Sequence, residues 1–271
     1  MDELLDTARR AAKEASRAVM QIYQREFSVE EKADKTPITE ADHAANDAIA
    51  TILKETGIPI LSEETPDGRD ARRASERVWI VDPLDGTKDF VDRTGDFSIM
   101  IALAEQGEPV LGVVAVPANE WIFTGVKGGG AFVYEGESDE PTPIAVSDID
   151  GVTQATVVAS RSHYSTSVTT VMDHLGAPGV ERVGSNGLKM ALIASGRADC
   201  FFTPTSKMGE WDVAAPQAVA EAAGARVTDI FGKPLTYNKE EPTVPAGVAC
   251  TNGHLHDTLI TALEETGVQP T

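Results

Sequence analysis

Basic residues are scarce in this chain of 271 residues: 23 lysines and arginines stand against 43 aspartates and glutamates, for a formal charge of -20. A surface of that sign repels nucleic-acid phosphates and anionic lipid heads, which basic patches usually hold, so neither a nucleic-acid polymer nor a membrane surface is expected as a partner. Cysteine is nearly absent as well. Cys200 and Cys250 form no Cys-x-x-Cys, which excludes a disulfide framework and a zinc ribbon and reads as core thiols in a reducing compartment. Long apolar runs are missing: the longest, over 99–104 and 110–116, fall far short of the roughly 20 residues a membrane span needs. Met1-Asp2-Glu3-Leu4-Leu5-Asp6 has neither the basic start nor the apolar stretch of a signal peptide. The expectation is a soluble, cytoplasmic protein, monomer or homodimer.

Repeats and low-complexity tracts are also absent. Hydrophobic residues at 41% and charged ones at 24% are ordinary for a globular chain of one large domain or two fused halves. Leu4, Ala8, Ala11, Ala15, Ala18 and Ile22 recur at helical spacing, and a second helix follows Pro37, with Thr39 as N-cap and Asp42 in capping-box position. Strands are predicted over 58–61 and 78–81, with a charged, mobile loop over 66–77 between them. Hairpins are predicted over 97–116 and 121–134, the second turning at Gly128-Gly129-Gly130. The acidic stretch 135–143 marks a boundary, giving an N-terminal half, 1–145, of helices plus antiparallel sheet, and a C-terminal α/β half, 146–271. In the latter, strands are predicted over 155–159, 199–202, 225–229 and 247–251, and helices over 166–175, 188–195, 213–223 and 256–265.

The stretch Trp79-Ile80-Val81-Asp82-Pro83-Leu84-Asp85-Gly86-Thr87 concentrates the chemistry. A buried strand delivers Asp82, Pro83 turns the chain, and Asp85 returns beside Asp82. The Leu84 carbonyl offers a third oxygen, Gly86 permits close backbone approach, and Thr87 supplies a hydroxyl. Hard oxygens without histidine or cysteine suit Mg²⁺ or Mn²⁺. A plain turn accounts for the same residues. Glu63-Glu64 after an apolar strand and Trp211-Asp212 before an Ala-rich helix repeat the arrangement, although a solvated pair and an N-cap are their simpler readings. No Gly-x-Ser-x-Gly elbow, Gly-x-x-x-x-Gly-Lys-Ser/Thr loop or Cys-His motif supplies a covalent nucleophile.

In this order, Asp42, Glu63-Glu64, Asp82-Pro83-Leu84-Asp85-Gly86-Thr87 and Trp211-Asp212-Val213-Ala214-Ala215 resemble the signature of the lithium-sensitive, magnesium-dependent phosphatases, which include inositol monophosphatases and 3'(2'),5'-bisphosphate nucleotidases. The resemblance implies an α/β (α+β) fold, a layered α-β-α-β-α sandwich of the inositol monophosphatase and fructose-1,6-bisphosphatase type. It implies metal ligation by Glu63, Asp82, the Leu84 carbonyl, Asp85 and Asp212, holding two or three Mg²⁺ with Mn²⁺ as substitute. It places water activation on Thr87 and Asp42, with Glu64 assisting, and substrate contacts on Asp85, Gly86 and Thr87.

Substrate choice is read from the C-terminal half. Ser160-Arg161-Ser162-His163 resembles a nucleoside-contacting segment, with Ser160 and His163 as contacts; His163 as a helix cap or surface residue is the alternative. Gly184-Ser185-Asn186-Gly187-Leu188-Lys189 resembles the next segment, with Ser185 and Lys189 near substrate; Lys189 also reads as a solvated helix lysine. Lys207 stands near where inositol monophosphatases place a glutamate, and a lysine favours a second anionic group. The expected activity is removal of the 3'-phosphate from adenosine 3',5'-bisphosphate, a small-molecule phosphate ester. Inositol-phosphate or sugar-phosphate hydrolysis is the alternative, and a non-catalytic sensor of an anionic nucleotide a third. Arg69, Arg72, Arg73 and Arg77 form either a solvated loop or a lid, and His254 and His256 read as capping or surface residues.

Overall fold

The computed structural model describes residues 1–32, 36–65, 69–136, 138–162 and 164–271, the side chain of Arg69 excepted. His163 and the start of the expected loop, 66–68, lie outside the described residues.

Helix α1 (Asp2–Tyr23) buries Ala8, Ala11, Ala12, Ala15, Val19 and Ile22, small residues that let a helix approach its neighbour closely. A short ladder of β1 (Val29–Glu31) and β2 (Pro37–Thr39) leads into α2 (Glu40–Leu53). The capping box of Thr39 and Asp42 is formed at its start. There follow β3 (Ile60–Ser62), the short helix α3 (Arg69–Arg73), β4 (Arg77–Asp85), the short helix α4 (Thr87–Val91), β5 (Ser98–Glu105), β6 (Glu108–Val116), β7 (Trp121–Val126), β8 (Gly130–Glu135) and β9 (Thr142–Ile144). Strands β3 to β9 make one sheet in chain order, with β3 and β4 parallel and the other neighbours antiparallel. The expected hairpins are present. Beyond Glu135 the chain returns to the same sheet at β9, where Thr142–Ile144 pairs with Ala131–Val133.

After β10 (Val157–Ser160) and α5 (Thr166–Leu175) come β11 (Val180–Val183), α6 (Asn186–Ala194), β12 (Cys200–Thr203), β13 (Met208–Gly209), α7 (Ala214–Ala222), β14 (Arg226–Thr228), β15 (Thr243–Val244), β16 (Val248–Thr251) and α8 (His256–Glu265). A second sheet has the order β11-β10-β12-β16-β14, and β13 pairs with β15. Strand β11 escapes sequence reading because Glu181 and Arg182 interrupt its apolar pattern, as suits an edge strand.

Apolar residues alternate along the first sheet with the period of two that a pleated strand imposes. Trp79, Val81, Ile99, Ile101 and Leu103 pack with α1 and α2. Val78, Ile80, Met100, Ala102 and Ala104 pack on the opposite face with α6, α7 and the inner face of the second sheet. The outer face of the second sheet packs on α5 and α8. The layers are therefore α-β-α-β-α, as expected. Cys200 and Cys250 are free and buried, on neighbouring strands of the second sheet but on its outer and inner faces respectively.

Gly112 and Gly125 face each other across β6 and β7. A Cβ on Gly112 would stand 2.3 Å from the Ala215 carbonyl oxygen, and one on Gly125 would stand 2.5 Å from Val219 Cα. The bare patch lets α7 lie directly on the sheet, which brings the turn before α7 over the end of β4.

Candidate active site

Opposite Met100 and Ser98 of β5, strand β4 places Asp82 and Asp85: three steps on one strand against two on the other. That is a β-bulge. In a regular strand, residues three apart point to opposite faces; the extra residue puts both carboxylates on the face toward α6 and α7. The expected turn at Pro83 is thus a bulge within a continuing strand, where the missing proline N–H costs no ladder bond. The Leu84 N–H donates to Asp82 Oδ1 at 3.0 Å. Gly86, with φ of +88°, makes the turn into α4; a Cβ there would lie 3.0 Å from the Asp96 carbonyl oxygen.

Asp212 arrives from a 3-10 turn, Glu210–Asp212, where its Oδ2 accepts from the Gly209 N–H at 2.6 Å. Carboxylate oxygens of Asp82, Asp85 and Asp212 lie within 4.8 Å of one another. Burial, then the charges of Glu63, Asp85 and Asp212, push the Asp82 carboxyl well above the usual range. Burial, then Asp85 and Glu63, do the same to Asp212. Desolvating one carboxylate costs several kcal/mol, and like charges add to it. Only protonation or a cation relieves such crowding. The donors are all hard oxygens, the set that holds a small divalent cation.

Glu63 and Glu64 lie just past β3. Lys32 Nζ stands 2.7 Å from Glu63 Oε1 and 2.5 Å from Glu64 Oε1. Burial lowers the Lys32 pKa, but the two glutamates outweigh it and hold the ammonium above its ordinary value. Burial likewise raises Glu63 against the pull of Lys32. Lys32 escaped sequence reading because nothing in its own segment points to the glutamates.

Asp42 is buried. Its Oδ2 accepts from the Thr39 N–H and hydroxyl, each at 2.8 Å, and its Oδ1 lies 3.1 Å from Thr87 Oγ1, which is also 3.2 Å from the Leu84 carbonyl oxygen. Burial is the main cause that raises Asp42.

From the second half, Ser185 caps α6 by accepting from the Leu188 N–H, and its hydroxyl donates to Asp85 Oδ2 at 2.6 Å. The Gly187 N–H reaches the same oxygen at 3.0 Å. Lys189 is not solvated: it is 2% exposed and donates to the Gly184 carbonyl. Burial pulls its pKa down to about 8 against four aspartates, Asp85 foremost. Ser160 ends β10 half-buried, and Lys207 is exposed just before β13. His256 corrects the surface reading: it is buried between Thr228 and Thr251, and burial pushes its pKa down to about 4. His254 is exposed.

The arginines of this segment differ in setting: Arg73 and Arg77 are exposed, as a solvated segment would place them, whereas Arg72 is not. Arg72 is buried on α3, Arg73 donates to the Asn238 carbonyl, and Arg77 pairs with Glu105.

The profile of the inositol monophosphatase family matches residues 1–267. The chain belongs to this family. It is 39% identical over 254 residues to the 3'(2'),5'-bisphosphate nucleotidase CysQ of Salmonella typhimurium (strain LT2), covering 92% of this chain and 99% of that one. The crystal structure of CysQ from Bacteroides thetaiotaomicron, a bacterial family member, superposes with a TM-score of 0.78 at 35% identity, covering 92% and 97% of the two chains. Inositol monophosphatase from Anabaena superposes with a TM-score of 0.79 at 28% identity, covering 97% and 96%. Among the described residues no helix is long and apolar enough to cross a membrane.

Proposed function

We propose that the chain is a Mg²⁺-dependent phosphomonoesterase that removes the 3'-phosphate of adenosine 3',5'-bisphosphate, leaving AMP and phosphate. The observation that carries this reading is the convergence of Asp82, Asp85 and Asp212 beside the Thr87–Asp42 pair, in a chain 39% identical over 254 residues to a bisphosphate nucleotidase. Sequence identity favours the nucleotidases over the inositol monophosphatases, which share the fold equally.

Asp82, Asp85, Asp212, Glu63 and the Leu84 carbonyl would hold two or three Mg²⁺, for which Mn²⁺ would substitute. Bound there, the cations would offset the charge of the phosphate and favour in-line attack of water on phosphorus, as the bond from phosphorus to the 3'-oxygen breaks and a second water protonates that leaving oxygen. The protein's own part is orientation and proton handling. Thr87 Oγ1, held between Asp42 Oδ1 and the Leu84 oxygen, presents a fixed hydroxyl to the attacking water, and Asp42 takes up the proton that Thr87 passes on. Burial raises Asp42, which makes it a better proton acceptor than an exposed aspartate; Glu64 assists. Ser185 and Gly187 hold Asp85 in one orientation. Gly86 and Thr87 border the transferring phosphate, while Ser160, His163 and exposed Lys207 serve the remainder of the substrate, with Lys207 facing a second anionic group.

The test compares adenosine 3',5'-bisphosphate, inositol 1-phosphate and fructose 1,6-bisphosphate under saturating Mg²⁺. The highest kcat/KM is expected for the nucleotide; preference for either of the others would move the assignment within the family. Nucleotide binding without release of phosphate from any of the three would instead mark a sensor.

A further inference from the structure

Arg72 and Glu210 are opposite charges buried on either side of one short stretch of backbone. The guanidinium donates to Asn238 Oδ1 at 2.9 Å and to the carbonyls of Lys239 and Glu240 at 2.7 and 3.1 Å. The Glu210 carboxylate, fully buried, accepts from the N–H groups of Asn238 and Lys239 at 2.7 and 3.0 Å. Asn238 has a φ of +58°, a left-handed turn that asparagine tolerates, and its own amide returns a bond to the Arg72 carbonyl at 2.9 Å. The loop is thus gripped by its oxygens from one side and by its N–H groups from the other.

The two grips belong to different carriers of the acidic group. Arg72 lies on the segment between Glu63 and Asp82, and Glu210 lies two residues before Asp212. Glu63 and Asp212 carry like charge, so drawing their segments together has a cost that contacts elsewhere in the fold must offset. We infer that Arg72 is a positioning residue for the cation site: through the loop at Asn238 it ties the segment of Glu63 to the turn of Asp212 and holds their carboxylates in register. This rests on the cation-dependent reading above. A site populated in register only part of the time binds its cation more weakly by that fraction, while the fully loaded protein is unaffected.

The test is calorimetric titration of the metal-free full chain with Mn²⁺, without substrate, for Arg72→Met and Asn238→Gly. The glycine variant keeps the left-handed backbone and removes only the side-chain amide, so it decides the matter if Arg72→Met fails to fold. Both are expected to raise the Mn²⁺ dissociation constant roughly 10-fold or more, as loss of a group that orients metal ligands does, with kcat at saturating cation near wild type. Arg77→Met, which breaks only an exposed pair with Glu105, is expected to bind as wild type does. Unchanged affinity in a folded Asn238→Gly, or lost kcat with affinity intact, would overturn the inference. A wild-type chain that binds no Mn²⁺ would overturn the metal reading itself.

Discussion

Ser185 donates its hydroxyl proton to Asp85 Oδ2 at 2.6 Å, across 100 positions of sequence. The same oxygen atom of Ser185 accepts from the Leu188 N–H at 3.1 Å, so one side chain both caps a helix and aims a carboxylate. Ser185→Ala is expected to cost about 1 kcal/mol of stability through the lost cap and, separately, roughly 10-fold in Mg²⁺ affinity through the freed aspartate. Urea unfolding reads the first and Mn²⁺ titration the second. Lost stability with unchanged affinity would confine Ser185 to capping.

Asp85→Asn and Asp212→Asn remove charge from a crowded, desolvated group. Each is expected to abolish turnover while leaving the metal-free chain at least as stable as wild type, because repulsion is relieved, and to erase most of the stabilisation that Mg²⁺ confers. Thermal melts with EDTA and with Mg²⁺ check both halves. Full activity in either variant would sink the site assignment.

Burial, more than any neighbour, raises the carboxyls of Asp42, Glu63, Asp82 and Asp212. Folded, these groups bind protons more tightly than in the unfolded chain. Their contribution is therefore full below about pH 4, the unfolded range, and is lost as pH rises through their raised values. Mg²⁺ takes the deprotonated forms, so its stabilising effect grows over the same interval. The gap between melting temperatures with Mg²⁺ and with EDTA is expected to widen as pH rises from about 4, the unfolded carboxyl range. A gap that stays constant would contradict this account.

How much of this was legible beforehand differs from residue to residue. Asp42, Asp82, Asp85 and Asp212 announce themselves by type, by position beside apolar runs and by joint order along the chain. The bulge does not, because Asp, Pro and Gly suit a turn equally well, and only pairing with β5 decides between them. Lys32 and Arg72 are ordinary basic residues in charged segments; what sets them apart is a partner far away in sequence, set by packing of the whole chain. Apolar periodicity marked the principal helices and hairpins, and the layering came from the family resemblance, whereas β11, β13 and β15 were too short or too polar to signal.

Gly112→Ala is expected to destabilise by about 1–3 kcal/mol, the range for overpacking a filled interior, since the new methyl would meet the Ala215 carbonyl at 2.3 Å. Lifting α7 also displaces Asp212, so Mg²⁺ affinity should fall with stability. A variant with wild-type stability and affinity would show that α7 shifts freely and is not the anchor of Asp212.

The seat of α7 on Gly112 and Gly125 also sets the order in which the chain can assemble the site. Strands β3 to β9 all precede α7 and pair in chain order, so none of that pairing needs a residue beyond Ile144, although the face of the sheet toward α6 and α7 stays uncovered until they arrive. Asp82 and Asp85 then stand on a finished strand with no Asp212 opposite them. With Asp212 as a proposed metal ligand, the site is complete only once the turn at 210–212 is in place and α7 has reached its glycine seat.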